Sequence, residues 1–532
     1  MIRLGIVAAL VVSALGLLIA AATGPWGWWI PAGIVSVVAA VALFDVIQRK
    51  HAVLRNYPIL GHGRFLLEAL RPEMQQYFIE RNFDGTPFDR EVRSLVYERA
   101  KGISSELAFG TERNLEHDGY EYLVHSAAPV DPPSEPFRVR IGGPDCTQPY
   151  DMALMNVSAM SFGALSANAV RALNEGARRG GFAHDTGEGG LTPYHLGGAD
   201  LVWELGSGYF GARTSTGQFD PNQFADKAAH EFVKCLSIKL SQGAKPGIGG
   251  VLPASKVTPE IARYRGVPVG ERCVSPAAHS AFATPRELVL FIARMRELAA
   301  GKPVGFKLCV GSRVDILAIC KAMVAEGVTP DFIIVDGAEG GTAAAPPEYE
   351  DNFGLPLTDG LMTVHNALVG TGLREMIRIG AAGKIATGSD IVKRLVQGAD
   401  FTNSARSMMM AAGCIQSLRC HTNHCPTGVA TQDPSRARAL DVADKSARVY
   451  RYQQATVAQA MRMMASMGVT DPALLNPHML RKRLSPVQQS SYAELYEWLP
   501  RGILLHQAPA SWHADWEAAD ADSFNPVGVT RV

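Results

Sequence analysis

Residues 302–342 read KPVGFKLCVGSRVDILAICKAMVAEGVTPDFIIVDGAEGGT. An apolar run at 304–310 gives way to an amphipathic stretch at 314–326 with helical spacing, and a second apolar run follows at 332–336. Short apolar run, helical stretch, short apolar run is the alternation that specifies a parallel sheet. The same pattern extends outward in both directions. Apolar runs at 152–160, 182–186, 235–240 and 272–274 precede the segment, and runs at 377–380 and 401–404 follow it. Helical patterns at 167–179, 285–299 and 390–397 fall between them. With eight strand candidates, the expectation is an α/β fold, a closed (β/α)8 TIM barrel rather than an open doubly wound sheet.

In such a barrel the chemistry sits in the loops after the strands. Glycine and polar residues gather there: SAMSFGA at 158–164 after the first strand, TGEGG at 186–190 after the second, SQGAKPG at 241–247 after the third, and DGAEGGT at 336–342 after the sixth. One such cluster is ordinary turn chemistry, but four at one end of a barrel point to a ligand. The loops at 381–383 and 403–406, after strands seven and eight, occupy the usual phosphate position of this architecture, so a phosphorylated cofactor fits there. No G-x-G-x-x-G stands at a strand-to-helix turn with an acidic residue about 20 positions on, so no nicotinamide-dinucleotide domain is expected.

The chain has 532 residues, 51 basic against 51 acidic, and 47% hydrophobic residues, the composition of a globular protein. Zero formal net charge and the lack of a long basic run argue against a nucleic-acid partner. From Leu4 to Phe44 there is no charged residue or histidine, long enough for two membrane crossings of about 20 residues each. Gly24, Pro25 and Gly27 break the run among Trp26, Trp28 and Trp29, where a hairpin turns at an interface. Two transmembrane helices are expected, at 4–23 and 28–47; a cleaved signal peptide is the competing reading. Arg3 before the hairpin and Arg49, Lys50 and Arg55 after it place both ends, and the catalytic domain, on the cytoplasmic side. The expected division is a hairpin at 1–50, a bridging region at 51–150, the barrel at 151–440 and a helical extension at 441–532.

Eight cysteines are too few for a disulfide framework in so long a chain. Cys414, Cys420 and Cys425 form C-x5-C-x4-C after the eighth strand, and Cys425 precedes Pro426. Three thiolates at this spacing suit an iron–sulfur cluster in a loop at 413–426. A zinc site completed by His421 or His424 is the alternative, and plain buried cysteines a third. Cys146, Cys235, Cys273, Cys309 and Cys320 read as small buried hydrophobes.

SAMSFGALS at 158–166, TGEGG at 186–190, KLSQGAKPG at 239–247, the Lys307-Leu308 pair, DGAEGGT at 336–342 and C-x5-C-H-x3-C-P-T-G-V-A-T-Q-D at 414–433 together resemble the FMN-binding synthase domain of glutamate synthase, over roughly residues 155–433. The resemblance implies a barrel bearing FMN with a 3Fe-4S cluster close by. In that family ammonia condenses with 2-oxoglutarate, and reduced flavin delivers hydride to the imine. Carried onto this chain, it makes Lys307 the cation at the flavin pyrimidine edge and Ser158, Ala159, Met160 and Ser161 part of the segment covering the flavin. Gly340, Gly341, Gly383 and Ser404 hold the ribityl phosphate, and Cys414, Cys420 and Cys425 hold the cluster. Lys239, Gln242, Lys245 and Arg265 surround the dicarboxylate, while Glu188 handles protons or ammonia, with Lys245 as its catalytic companion.

Three departures qualify the resemblance. The family's glutaminase domain and C-terminal β-helix have no counterpart here, so free ammonia, another amine or a separate subunit is the expected nitrogen source. Ile248 stands where an acidic residue is usual, and Ala277 and Ala278 interrupt the Pro-rich run before His279. The expectation is a membrane-anchored oxidoreductase making glutamate. An N-methylglutamate synthase-like coupling of another amine to an oxo acid, or an electron-transfer subunit without turnover of its own, are the alternatives. Ferredoxin, a pyridine-nucleotide-dependent subunit and the quinone pool stay open as electron donors.

Overall fold

The computed structural model describes residues 2–524. The chain divides into two compact units between Gly85 and Thr86.

In the first unit, helices Ile2–Thr23 and Trp29–Ile47 pack against each other through a turn at Trp26–Trp28. Small residues make the contact: Ala14, Ala21, Ala32, Ala39 and Ala42 are buried, whereas Val12, Ile19, Ile34, Val37 and Phe44 are each more than 60% exposed. Alanine faces allow close helix approach, and the large apolar side chains are left pointing outward. Both helices are long and apolar enough to cross a membrane. Asp45 at the end of the second is fully buried, accepting from the Ile59 amide at 2.8 Å and from His62 Nε2 at 2.9 Å. That pairing ties the helix end to the start of helix Leu60–Met74.

The second unit contains a closed parallel barrel. Its strands are β1 Met155–Val157, β2 His184–Asp185, β3 Leu201–Leu205, β4 Val233–Lys239, β5 Val304–Leu308, β6 Phe332–Asp336, β7 Arg378–Ala382 and β8 Phe401–Ser404. β8 pairs with β1 through Ser404 opposite Val157, which closes the ring. Two expectations are corrected. The third strand is Leu201–Leu205, which the sequence reading passed over, so the SQGAKPG loop follows the fourth strand rather than the third. Residues 272–274 are not a barrel strand: Cys273–Val274 pairs antiparallel with Val251–Leu252. Cys273–Val274 runs antiparallel to its partner outside the parallel ring and leaves Val274 exposed, whereas Leu201–Leu205 is buried at every position despite carrying Glu204.

The run at 152–160 also splits. Tyr150–Ala153 pairs antiparallel with Arg138–Ile141, and only Met155–Val157 enters the barrel. Ile141 and Met152 of that pair share a core cluster with Phe332, Ile334 and Phe401, sealing the barrel at its amino end. Buried Arg296 and Asp331 reinforce this end: Arg296 Nη2 donates to Asp331 Oδ2 at 3.0 Å, and Asp331 Oδ1 accepts from the Gly143 amide at 2.6 Å. The carboxyl end is left for ligands.

The outer helices have legible ends. Ser166 caps Ala167–Gly180, Thr284 and Glu287 form a capping box on Pro285–Leu298, and Gly327 in a left-handed conformation ends Arg313–Glu326. The long helix Val442–Ser466 lies against Ala167–Gly180. A Cβ on Gly176 would come within 2.7 Å of Val449, so only glycine permits this approach. The C-terminal region is not wholly helical as expected. Leu480–Ser485 and Gln488–Ser491 form a hairpin that Glu121–Leu123 extends to three antiparallel strands. Its sequence RKRLSPVQQSS has no apolar alternation to announce strands.

Candidate functional site

Two cavities share a wall at the carboxyl end of the barrel. Ala159, Gln242, Lys307, Gly341, Ala405 and Arg406 line both. Their non-atom space, open mouths included, is about 890 and 480 Å³, the scale of cofactor and small-molecule sites. The larger also takes in Met160, Ser161, Glu188, Lys239, Lys245, Arg265 and Cys420, and the smaller Ser158, Gly340, Gly383 and Ser404. Every residue expected to touch flavin or substrate therefore reaches one continuous depression.

In the larger cavity Glu188 is held by its surroundings. Its Oε1 lies 3.3 Å from Lys239 Nζ, which also donates to Gln242 Oε1 at 2.7 Å. A Cβ on Gly250 would sit 1.6 Å from Glu188 Oε1 and one on Gly206 2.4 Å from Oε2, so two glycines make its slot. Burial works to raise the Glu188 carboxyl, but Lys239, Arg265 and Lys245 outweigh it and hold it below its ordinary value. Lys245 Nζ donates to the Ala344 carbonyl at 2.5 Å, and burial together with the Lys239 charge lowers it to about 8. Arg265 Nη2 donates to the Phe162 carbonyl at 3.1 Å, while its buried Nε has no partner. Three cations face one carboxylate. The excess of two positive charges matches a dianionic ligand.

His279, which the sequence reading placed only as the end of an interrupted motif, braces Lys239. Its Nε2 donates to the Lys239 carbonyl at 2.9 Å, and Nδ1 accepts from the Tyr209 hydroxyl at 3.2 Å, which itself accepts from the Ala281 amide at 3.0 Å. Burial lowers the imidazole to about 4, so it stays neutral in this one tautomer.

At the shared wall, Lys307 is buried and paired with Glu204 of β3. Burial would lower its ammonium, but Glu204, Asp185 and Asp336 together raise it well above its ordinary value. Nothing in the sequence marked Glu204 or Asp185 as its neighbours, because only the pairing of β2 through β5 side by side brings them together. In the smaller cavity Gly340 and Gly341 have no space for side chains: a Cβ would meet Asp336 Oδ1 at 2.8 Å or Arg406 Cδ at 2.7 Å. Asp336 Oδ2 accepts from the Gly243 amide at 2.8 Å. The Ser404 hydroxyl is spent on the Ile385 carbonyl at 2.9 Å. Arg406, at the end of the loop expected to take phosphate, donates to the Glu339 carbonyl and reaches both cavities.

Cys425 is buried, and Cys414 and Cys420 are half-buried. Burial pushes the Cys414 thiol up to about 12, with the Cys420 and Cys425 charges adding to it, so the three sulfurs are electrostatic neighbours. Cys425 goes the other way: burial works to raise it, but the Ala430, Thr427 and Val429 amides and the Thr427 hydroxyl hold it below its ordinary value. Gln416, Leu418 and Asn423 adopt left-handed conformations that shape this loop, and Cys420 lines the larger cavity. Buried Lys256, another residue the sequence reading missed, donates to the Ala164 and Ala430 carbonyls at 3.1 and 3.0 Å within the field of Cys420 and Cys425. His421 and His424 are exposed. Among the described residues no three His, Cys, Asp or Glu side chains are gathered closely enough to hold a metal ion as they stand.

A family model described as the conserved region in glutamate synthase matches residues 147–470. The glutamate synthase large subunit-like protein YerD of Bacillus subtilis (strain 168) is 35% identical over 475 residues, covering 82% of this chain and 90% of that one. The archaeal glutamate synthase (NADPH) of Archaeoglobus fulgidus is 35% identical over 315 residues, covering 59% of this chain and 58% of that enzyme. Among solved structures, a flavocytochrome b2 variant with pyruvate bound covers 89% of this chain and 97% of its own at 12% identity and a TM-score of 0.41. The matched region holds the whole barrel, the cysteine loop and every lining residue of both cavities except Phe88, and the chain belongs to the glutamate synthase family.

Proposed function

We propose that this family member reductively aminates 2-oxoglutarate to glutamate at the carboxyl end of its barrel, with FMN and a 3Fe-4S cluster as its cofactors. The observation that carries the reading is the pairing of a doubly positive pocket around Glu188 with a second, glycine-walled cavity, Lys307 standing at their common wall. The residues fit a flavin mononucleotide. Gly340 and Gly341 keep their wall bare, Arg406 brings a guanidinium suited to phosphate, and Lys307 brings a cation to a ring that becomes anionic on reduction. The donor set of the loop fits a cluster: three soft thiols, with backbone amides directed at Cys425 in the way that tunes cluster potentials. When bound, FMN supplies hydride to the substrate carbon and the cluster passes single electrons to it.

The chain's own residues do the rest. Lys239, Lys245 and Arg265 bind and orient the two carboxylates of the oxo acid. Gln242, donating to Thr342 Oγ1 at 3.3 Å, fixes the Lys239 ammonium against Glu188. Glu188, ionised and seated between Gly206 and Gly250, accepts a proton from the incoming ammonium as it becomes a nucleophile and returns it when the carbinolamine hydroxyl leaves as water. We place helices Ile2–Thr23 and Trp29–Ile47 in the membrane, with the barrel on the cytoplasmic side, on the strength of their exposed apolar side chains and the basic residues that follow them.

The test is product analysis with a chemical reductant and a mediator dye, comparing ammonium with methylamine at equal 2-oxoglutarate. Glutamate from ammonium, abolished in Glu188→Gln, supports the proposal. N-methylglutamate from methylamine in large excess over glutamate transfers the site to another amine. No amino acid from either contradicts substrate turnover.

A further inference from the structure

Around the Lys307 ammonium the barrel holds two carboxyl groups to which the mechanism above gives no part. Glu204 is 1% exposed, and its Oε2 accepts from Lys307 Nζ. Asp185 is 2% exposed; its Oδ1 accepts from the Gly187 amide at 3.0 Å, and its Oδ2 has no partner. Strand register stacks the three. Lys307 lies opposite Lys239, Glu204 opposite Ser237 one inward position lower on β4, and Asp185 opposite Val202, one inward position below Glu204 on β3. A buried ammonium without a counter-charge sheds its proton or leaves. Here Glu204 lines the larger cavity and Asp336 the smaller, while Asp185 lines neither and adds its charge from within the barrel.

Resting on the flavin reading above, we propose that Glu204 and Asp185 are positioning residues for Lys307: together they keep it a cation fixed at the barrel mouth and so set how much negative charge a flavin bound there can accept. Two carboxyl groups at this spacing do not both ionise freely. Burial and the Glu204 charge push Asp185 up to about 8, against the opposing pull of Lys307, the Gly187 amide and Lys239. At neutral pH Asp185 is therefore largely protonated beneath the Lys307 ammonium. Removing the Glu204 charge takes away one of the two causes that raise Asp185, so the remaining acid ionises more readily.

The test uses the full-length FMN-loaded protein and reads the two-electron reduction equilibrium of the flavin against a reference dye from pH 6 to 10. Lys307→Met should disfavour reduction by roughly tenfold, which for two electrons is about 30 mV. The Glu204→Gln/Asp185→Asn double variant, which leaves Asp336 beside the lysine, should shift the equilibrium in the same direction and by no more than Lys307→Met does. Adding Lys307→Met to the double variant should bring it to the value of Lys307→Met alone, since the acids act through the lysine. In the wild type, reduction should take up one extra proton above about pH 8, where ionised Asp185 recaptures a proton as negative charge appears on the ring. Asp185→Asn alone should lose that steepening, and this single variant decides the matter if the double one does not fold. A double variant with the wild-type equilibrium, a triple variant unlike Lys307→Met, or a steepening that survives Asp185→Asn overturns the proposal. A wild-type protein that binds no FMN overturns the flavin reading itself, and is told apart by its missing visible spectrum.

Discussion

Lys245 gives the site a pH limit. Its ammonium, lowered from 10.5 to about 8 by burial and by Lys239, is charged below that value and neutral above it. A neutral amine no longer holds a carboxylate, so kcat/KM for 2-oxoglutarate should fall as pH rises through about 8. Lys245→Met should lower kcat/KM at neutral pH by roughly 10- to 100-fold, the worth of one charge-assisted hydrogen bond, and flatten the profile. A variant that keeps the wild-type break would assign it to another group. Gly250→Ala tests the slot of Glu188 without touching its charge. The new Cβ falls 1.6 Å from the carboxylate oxygen, so turnover should drop roughly 10²-fold or more, in line with loss of a proton-transfer group, while FMN content holds. Lys245 and Glu188 were legible because they stand in glycine-rich loops that match the family's motifs, and Arg406 as the end of the loop at 403–406, whereas Gly250 was not singled out. Glu204, Asp185 and Lys256 were not legible. They are charges inside strands or a short turn, and their partners come from other strands or loops that only folding assembles.

At the scale of elements, the barrel was readable wherever a strand ended in a glycine-rich loop, as at Lys239 and Asp336. Strand β3 escaped because LVWEL carries a charge in a five-residue run, and that charge points into a barrel whose closure satisfies it. The packing of helix Val442–Ser466 on Ala167–Gly180 turns on Gly176, 2.7 Å from Val449 at its virtual Cβ. Gly176→Val should therefore cost roughly 1–3 kcal/mol by overpacking and lower the thermal midpoint by several degrees in calorimetry; an unchanged midpoint would mean the helices part without penalty. The cysteine loop makes a separate prediction. Cys414→Ser, Cys420→Ser and Cys425→Ser should each deplete protein-bound iron while leaving FMN bound, because the thiols line a loop and not the barrel wall. Iron retained in all three variants would remove the cluster from this loop.

On the scale of the whole molecule, two exposed apolar helices precede a unit built around an enzyme barrel. In water such helices would aggregate, and in lipid their exposed Val, Ile, Leu and Phe side chains are matched. The protein should resist carbonate extraction from membranes, and a reporter enzyme fused to the C-terminus should be active only when it stays in the cytoplasm. Release by carbonate, or reporter activity on the far side, would contradict the anchoring or the orientation respectively. The central claim is that the two cavities form a single site in which electrons held on one side reach an oxo acid on the other. It is tested most directly by reducing the purified detergent-solubilised protein anaerobically and recording flavin absorbance after 2-oxoglutarate and ammonium are added together. The account predicts reoxidation with one glutamate formed per flavin reoxidised, and no reoxidation with either substrate alone. A flavin that stays reduced with both present would contradict it.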